Sequence, residues 1–178
     1  MTSSPSESTA EDLTFEQAIA HTQTLLENMA ANDLSESETE TAIANLVTTH
    51  NGARGFFVTY LTDPRPFVDR PSEAVIRALE ASPEIVPDLL VKNVAMSSAM
   101  AVHHRRNHHE EMAASSDRVR SRSVHLIQAL NLPVFEIMVK NLLESAKTGV
   151  GEYQDFLERW GYDAEQREAI AIALHPLI

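Results

Sequence analysis

The sequence predicts an all-α protein, folded as a single compact bundle of about eight helices around a long, interrupted central helical segment. Only five of the 178 residues are glycine, while 43% are apolar and 22% are charged. This composition is typical of a soluble, helix-rich globular protein. Capping patterns and helical periodicities recur along the chain. A chain of this length buries roughly 70% of its unfolded surface and folds without disulfides.

The first twelve residues differ in composition from the rest of the chain. Residues 1–12, rich in Ser, Thr, Pro and Glu, are predicted to be a disordered acidic tail, and residues 13–178 a single helical domain. The tail lacks the basic and apolar regions of a secretory signal, and no apolar run approaches the roughly 18 residues of a membrane span. The absence of cysteine excludes disulfides and thiolate zinc sites. We therefore expect a cytoplasmic protein with no membrane insertion.

Helix start signals define the first two helices. Thr14 with Gln17, and Ser35 with Glu38, form capping boxes. Apolar residues follow each pair at the spacing of one helix face. Gly52 is interpreted as the glycine that ends the second helix.

The next segment is ambiguous from its composition alone. Residues 56–62 combine β-branched and aromatic side chains, which suit a strand. The chain offers no second strand to pair with it, and a lone strand leaves its backbone groups unsatisfied. We therefore interpret the segment as a short buried helix. Pro71 then fits the first position of the following helix.

The central part of the chain reads as a long helix with a break. Residues 88–132 contain neither Gly nor Pro, and one continuous helix over them would be roughly 65 Å long. A compact globule of this size is only roughly 40 Å wide. We therefore predict a break or kink between Arg105 and Asp117, with Asn107 and Glu110 as a fresh capping box.

The last third of the chain contains clear signals for the starts and ends of helices. A helix follows Pro133, Gly149 ends it, Gly161 ends the next, and Asp163 with Gln166 caps the last. The apolar positions of the helices predict the core. Its predicted members are Leu26, Met29, Leu46, Phe57, Leu79, Leu90, Val94, Met138, Leu142, Phe156 and Trp160.

A histidine-rich run offers candidate metal ligands. His104 and His108 lie four residues apart and Glu111 three further on, so a continuous helix would place all three on one face. Two imidazoles and a carboxylate suit zinc or another divalent metal. Arginines 105 and 106 beside them would repel a cation, and solvated histidines at a helix end are the alternative. No cofactor follows from the sequence.

The same region offers a candidate anion site. Residues 101–125 hold five arginines and five histidines against three acids, although the whole chain carries a net charge of −12. Arg118, Arg122 and His125 fall on one helix face, with Arg105 one segment earlier. Arginine pairs bidentately with carboxylate or phosphate. The alternative is that these arginines form ion pairs within the fold or across a homodimer.

Two segments carry a resemblance to a known family: residues 51–57 (NGARGFF) and residues 156–163 (FLERWGYD). From residue 13 onward the chain resembles a family of small all-helical proteins of photosynthetic bacteria catalogued as uncharacterised. The resemblance implies an all-helical fold. It implies no activity and no functional residue.

Catalytic motifs are absent from the sequence, and the strong negative charge disfavours nucleic acid as a partner. The sequence therefore predicts a non-catalytic interaction or regulatory domain, with itself (as a homodimer) and an unidentified protein as partners. The alternative is a metal- or anion-binding protein or enzyme that uses residues 103–125. The homodimer is expected because one apolar face of the central segment would otherwise be exposed to solvent. That face comprises Leu90, Val94, Ala101, Met112, Val119, Leu126 and Leu130.

Overall fold

The computed structural model describes residues 13–178, and every regular element in this range is an α-helix or a short 3₁₀ helix. The all-α prediction is confirmed, with nine α-helices in the described range instead of about eight. The predicted tail at residues 1–12 lies outside the described residues. The chain forms two compact units, and each is described by itself. The first runs up to Tyr60 and includes Ser72–Ile85, and the second combines Leu61–Pro71 with Val86–Ile178. The single domain over 13–178 stays a prediction.

Four helices supply the first unit. They are α1 (Phe15–Ala30), α2 (Glu36–Leu46), α3 (His50–Thr62, whose last two residues belong to the second unit) and α4 (Glu73–Glu80). Both predicted capping boxes are present at the starts of α1 and α2. Helix α2 packs against α4 and α1.

Two predictions about where the helices of this unit begin or end are wrong. Gly52 does not end α2 but lies in the first turn of α3, because the Thr49 hydroxyl accepts a hydrogen bond from the Gly52 backbone N–H at 3.1 Å and so caps a new helix. Pro71 precedes α4, whose N-cap is Ser72. The segment 56–62 is helical, as predicted, and forms most of α3.

Aromatic residues of α3 lie in the core of the first unit. Phe56, Phe57 and Tyr60 are all buried, and the Phe56 ring stacks on Tyr60 with 5.1 Å between centroids. Stacked rings of this kind add to the free energy gained from burial of their apolar surface.

Five helices form the second unit: α5 (Val86–Arg106), α6 (Glu110–Leu130), α7 (Pro133–Thr148), α8 (Gln154–Trp160) and α9 (Ala164–Leu174). Helix α5 packs against α6, α9 and α7, and α7 also packs against α9 and α8. A 3₁₀ helix at Pro66–Asp69 belongs to this unit as well. The predicted stops are confirmed, because Gly149 and Gly161 end α7 and α8 with positive φ. Asp163 and Gln166 form the predicted capping box of α9.

The predicted core is mostly confirmed, with one clear error. Seven members are buried, while Met29, Met138 and Phe156 are half-buried. The prediction that Trp160 lies in the core is wrong, since this residue is 53% exposed. It is the last residue of a seven-residue helix, and the cover that buries Leu157 does not extend to that end. The buried members are Leu26, Leu46, Phe57, Leu79, Leu90, Val94 and Leu142.

Candidate functional site

The turn between α5 and α6, with the adjoining helix ends, contains four of the seven candidate ligands: His104, Arg105, His108 and Glu111. Helix α5 ends at Arg106 and α6 begins at Glu110, which confirms the predicted break. The chain reverses through His108, whose φ is +57°. The backbone N–H of His109 donates to the carbonyl of His104 at 2.9 Å and closes the turn.

The predicted capping box of α6 is wrong. The N-cap of α6 is His109, whose side chain makes no capping hydrogen bond. Asn107 uses its side-chain amide instead to donate to the carbonyl of His103 at 2.8 Å, which caps the end of α5. A short polar side chain serves either helix end, and its sequence position alone does not decide which one.

The three candidate metal ligands are not assembled into a site. Because α5 ends at Arg106, His108 lies in the turn and does not share a helix face with His104. Among residues 13–178 no group of three or more His, Asp or Glu side chains is placed to hold a metal ion, and Glu111 is exposed. The His104 ring is buried against the rings of His103 and His109. Burial, with these two neighbours, lowers the pKa of His104.

The four candidate anion ligands are partly used by the fold itself. Arg105 forms an ion pair with Asp117 across the α5–α6 turn. Arg122 is buried, with only 4% of its surface exposed. Arg118 and His125 are exposed, and neither has an ion-pair partner in the described part of the chain. Two of the four cationic positions are therefore neutralised by neighbouring acids, which corresponds to the alternative expected from the sequence.

Arg122 joins α6 to the end of α3 inside the second unit. Its Nη1 donates to the carbonyl of Leu61 at 2.9 Å and to that of Asp63 at 2.6 Å, and its Nε donates to Asp69 Oδ1 at 2.7 Å. The last carbonyls of a helix lack partners within the helix and carry partial negative charge. A buried guanidinium supplies these carbonyls with hydrogen-bond donors and also with a compensating positive charge. The pKa of Asp63 is lowered, first by its hydrogen bonds with Arg65 and also by the charge of Arg122.

Arg106 connects the end of α5 to the start of α9. Its guanidinium bonds both Asp163, the N-cap of α9, and Glu165 in the first turn, with Nε 2.9 Å from Glu165 Oε2. These bonds, together with the backbone N–H of Gln166, lower the pKa of Asp163 to about 2. A charge-assisted clamp of this kind is stronger than a neutral hydrogen bond.

Removing this clamp should be visible in the titration of one carboxyl group. In Arg106→Gln we expect the pKa of Asp163 to rise from about 2 toward its ordinary 3.8. Because the folded-state pKa is lowered, the ionised carboxylate stabilises the fold above pH 3.8, and this contribution is lost as the pH falls toward 2. Carboxyl carbon NMR titration measures the pKa directly. Arg105→Gln is the matched control, since Arg105 pairs with Asp117 and should leave Asp163 unchanged.

Sequence reasoning missed an open groove formed by α5, α7 and α8. Its volume is about 350 Å³, and it combines the half-buried apolar side chains of Met138 and Phe156 with charges of both signs. Lys92 lies over the Phe156 ring, 5.8 Å from its centroid, and pairs with Asp88 at 2.7 Å. The remaining lining residues are Glu152, Tyr153, Asp155 and Arg159. Burial, with Asp88 and Glu152 nearby, raises the pKa of Tyr153.

Trp160 is not a lining residue of this groove, but it directly follows the lining residue Arg159 on α8. It lies four residues after Phe156 and therefore on the same side of the helix. Its exposure makes it a large apolar side chain in contact with solvent beside half-buried ones. The helical spacing of these aromatics identifies the shared face, but only the packing of α8 in the folded chain shows that its end is uncovered.

The apolar face of the central segment is covered within one chain. Leu90, Val94 and Ala101 of α5 are buried, as are Leu126 and Leu130 of α6, because the two helices pack against each other. Of the seven residues that suggested a dimer, only Met112 is exposed, at 52%. The reason given for a dimer through this face therefore does not hold.

Comparison with known proteins identifies a family for this chain. The model of a family described as uncharacterised conserved protein UCP020893 matches residues 14–177, which supports the resemblance to an uncharacterised family. Searches of curated proteins and of solved structures gave no match. Among the described residues, no helix combines the length and apolar character needed to cross a bilayer.

Proposed function

We propose that this chain, which belongs to the uncharacterised conserved protein family UCP020893, is a non-catalytic helical interaction domain. Its partner in this proposal is a second copy of itself. The observation that carries the proposal is the exposed Trp160, one helical turn beyond the groove residue Phe156 on α8. Tryptophan and arginine are the side chains most enriched where binding energy concentrates in protein interfaces.

The composition of the groove favours a copy of the same chain as occupant. Acidic Asp88, Glu152 and Asp155 lie in one lining with basic Lys92 and Arg159. In a two-fold contact the same patch meets itself, so a patch with both signs can place charges of one copy opposite charges of the other sign in its partner. Apolar contact is available at Phe156, Met138 and Trp160, and burying one tryptophan removes roughly 200 Å² of surface from water.

The alternative, metal or anion binding by residues 103–125, has less support. Arg105 and Arg122 already donate to groups of the fold, and the metal candidates are not brought together. A cytoplasmic location and an additional protein partner remain parts of the proposal.

Sedimentation of the untagged full chain over a range of concentrations tests this proposal. We expect a monomer–dimer equilibrium at micromolar concentration, and Trp160→Ala should weaken it about thirtyfold, which corresponds to loss of about 2 kcal/mol of binding energy. Met112→Ala is the matched control, because Met112 is equally exposed but lies on α6, outside the groove.

Two outcomes would contradict the proposal. A wild-type chain that sediments as a monomer at every concentration shows that a second copy does not occupy the groove. A dimer that Trp160→Ala and Met112→Ala leave equally stable shows that association uses another surface.

A further inference from the structure

The end of α7 and one face of α9 line a second open cavity, separate from the groove that contains Phe156. Its volume is about 350 Å³, within the range of small-molecule sites. The residues of α9 that line it recur at helical spacing and so share one face. The lining consists of Ala146, Lys147, Thr148, Gly149, Ala164, Arg167, Glu168 and Ala171.

Small residues create the space in this cavity. Ala146, Gly149, Ala164 and Ala171 contribute little more than backbone to its walls. The long side chains that remain are two bases and one acid. A ligand here would therefore meet small apolar side chains beside two basic groups and one acidic group.

Arg167 is held in place beside the cavity. Its Nε donates to the carbonyl of Tyr162 at 3.0 Å, which fixes the guanidinium plane and leaves the two Nη groups on the other side. Nη1 lies against Gly149, since a Cβ added to that residue would be only 3.2 Å from it. The guanidinium thus reaches the wall of the cavity over a residue that has no side chain.

The charges of the lining are not balanced. Among the described residues, neither Arg167 nor Lys147 forms an ion pair with a carboxylate, whereas Arg105, Arg106 and Arg122 all do. Glu168 is the one acid in the lining, so two positive groups face one negative group. The cavity therefore has a net positive charge in a chain whose net charge is −12.

We propose that this cavity binds a small oxyanion, with Arg167 as the bidentate ligand and Lys147 as the second positive charge. The planar fork of an arginine side chain matches the paired oxygens of phosphate and carboxylate groups. The site is independent of the dimer proposed above, because Trp160 and the groove residues do not line it.

Amide NMR of the full chain tests this proposal with two probes, inorganic phosphate and succinate, at constant ionic strength. We expect saturable shifts of the Gly149 and Ala164 amides, with dissociation constants in the millimolar range typical of a small anion at an open site. A response to phosphate alone identifies a phosphate-bearing ligand, and a response to succinate alone a carboxylate-bearing one. Lys147→Gln should weaken binding about tenfold, and Arg167→Gln should abolish it.

Control variants keep the test decisive. Arg118→Gln removes an exposed arginine of α6 that is distant in sequence from the cavity, and it should leave binding unchanged. If Arg167→Gln perturbs the fold through its bond to Tyr162, Lys147→Gln decides, because the Lys147 side chain is exposed and makes no hydrogen bond within the described residues. The proposal is overturned if neither probe gives saturable shifts, if sodium chloride gives the same shifts, or if Lys147→Gln binds as the wild type does.

Discussion

Replacing Arg122 by methionine is expected to lower the free energy of unfolding by about 3 kcal/mol, although methionine preserves most of the apolar volume. The guanidinium is 4% exposed and donates to the carbonyls of Leu61 and Asp63 and to the carboxylate of Asp69. Methionine donates nothing, so buried carbonyl groups at the end of α3 lose their partner. An unsatisfied buried acceptor costs about 1–3 kcal/mol.

Urea unfolding of the full chain, followed by circular dichroism, measures this loss. Arg118→Met is the matched control, because Arg118 lies one turn earlier on α6, carries the same charge and is exposed. We expect the control to change stability by less than about 0.5 kcal/mol. Equal stability of the two variants would show that water replaces the guanidinium at the end of α3, which the burial of Arg122 argues against.

Features of the fold that depend on a few neighbouring residues were predictable. The capping boxes of α1, α2 and α9 are each encoded within four residues and are present, and the one predicted for α6 at Asn107 and Glu110 is the exception. The break in the central segment followed from length, because a helix longer than the molecule has to turn or protrude. These features need no knowledge of what packs against them.

The role of a residue whose partners come from distant segments was not predictable. Arg122 was grouped with Arg118 as an anion ligand, since both lie on one helix face. Its acceptors lie at Leu61, Asp63 and Asp69, more than fifty residues earlier in the chain. The same limit applies to both cavities, whose walls combine separate helices. Periodicity identifies the face of a helix but not the group that covers it.

Two glycines that were interpreted as helix stops show the same limit of sequence-based prediction. Gly52 and Gly149 were both interpreted as helix stops, yet only Gly149 has the positive φ that favours glycine at such a position. Gly52 lies in the first turn of α3, where the closest neighbour is the end of α2. A glycine required for close approach and one required for a left-handed turn look alike in sequence.

Gly52→Ala is therefore expected to destabilise the chain, although alanine is the better helix former. A Cβ at this position would lie 1.9 Å from the carbonyl oxygen of Leu46, which is backbone and not a flexible side chain. The junction of α2 and α3 would have to move. We expect a net loss of about 2–3 kcal/mol, because the gain of up to about 1 kcal/mol in helix propensity is smaller than the cost of overpacking.

Asn51→Ala separates the steric effect from helix propensity. Asn51 is the preceding residue of α3 and is exposed, so alanine there should leave stability unchanged or raise it by a few tenths of a kcal/mol. Urea midpoints of the two variants give the comparison directly. If Gly52→Ala is at least as stable as Asn51→Ala, the end of α2 is free to move away from α3, and close approach is not the reason for glycine at position 52. A loss confined to Gly52→Ala means that the contact between Gly52 and Leu46 fixes how α3 leaves α2, and with it the placement of Phe56, Phe57 and Tyr60 in the core.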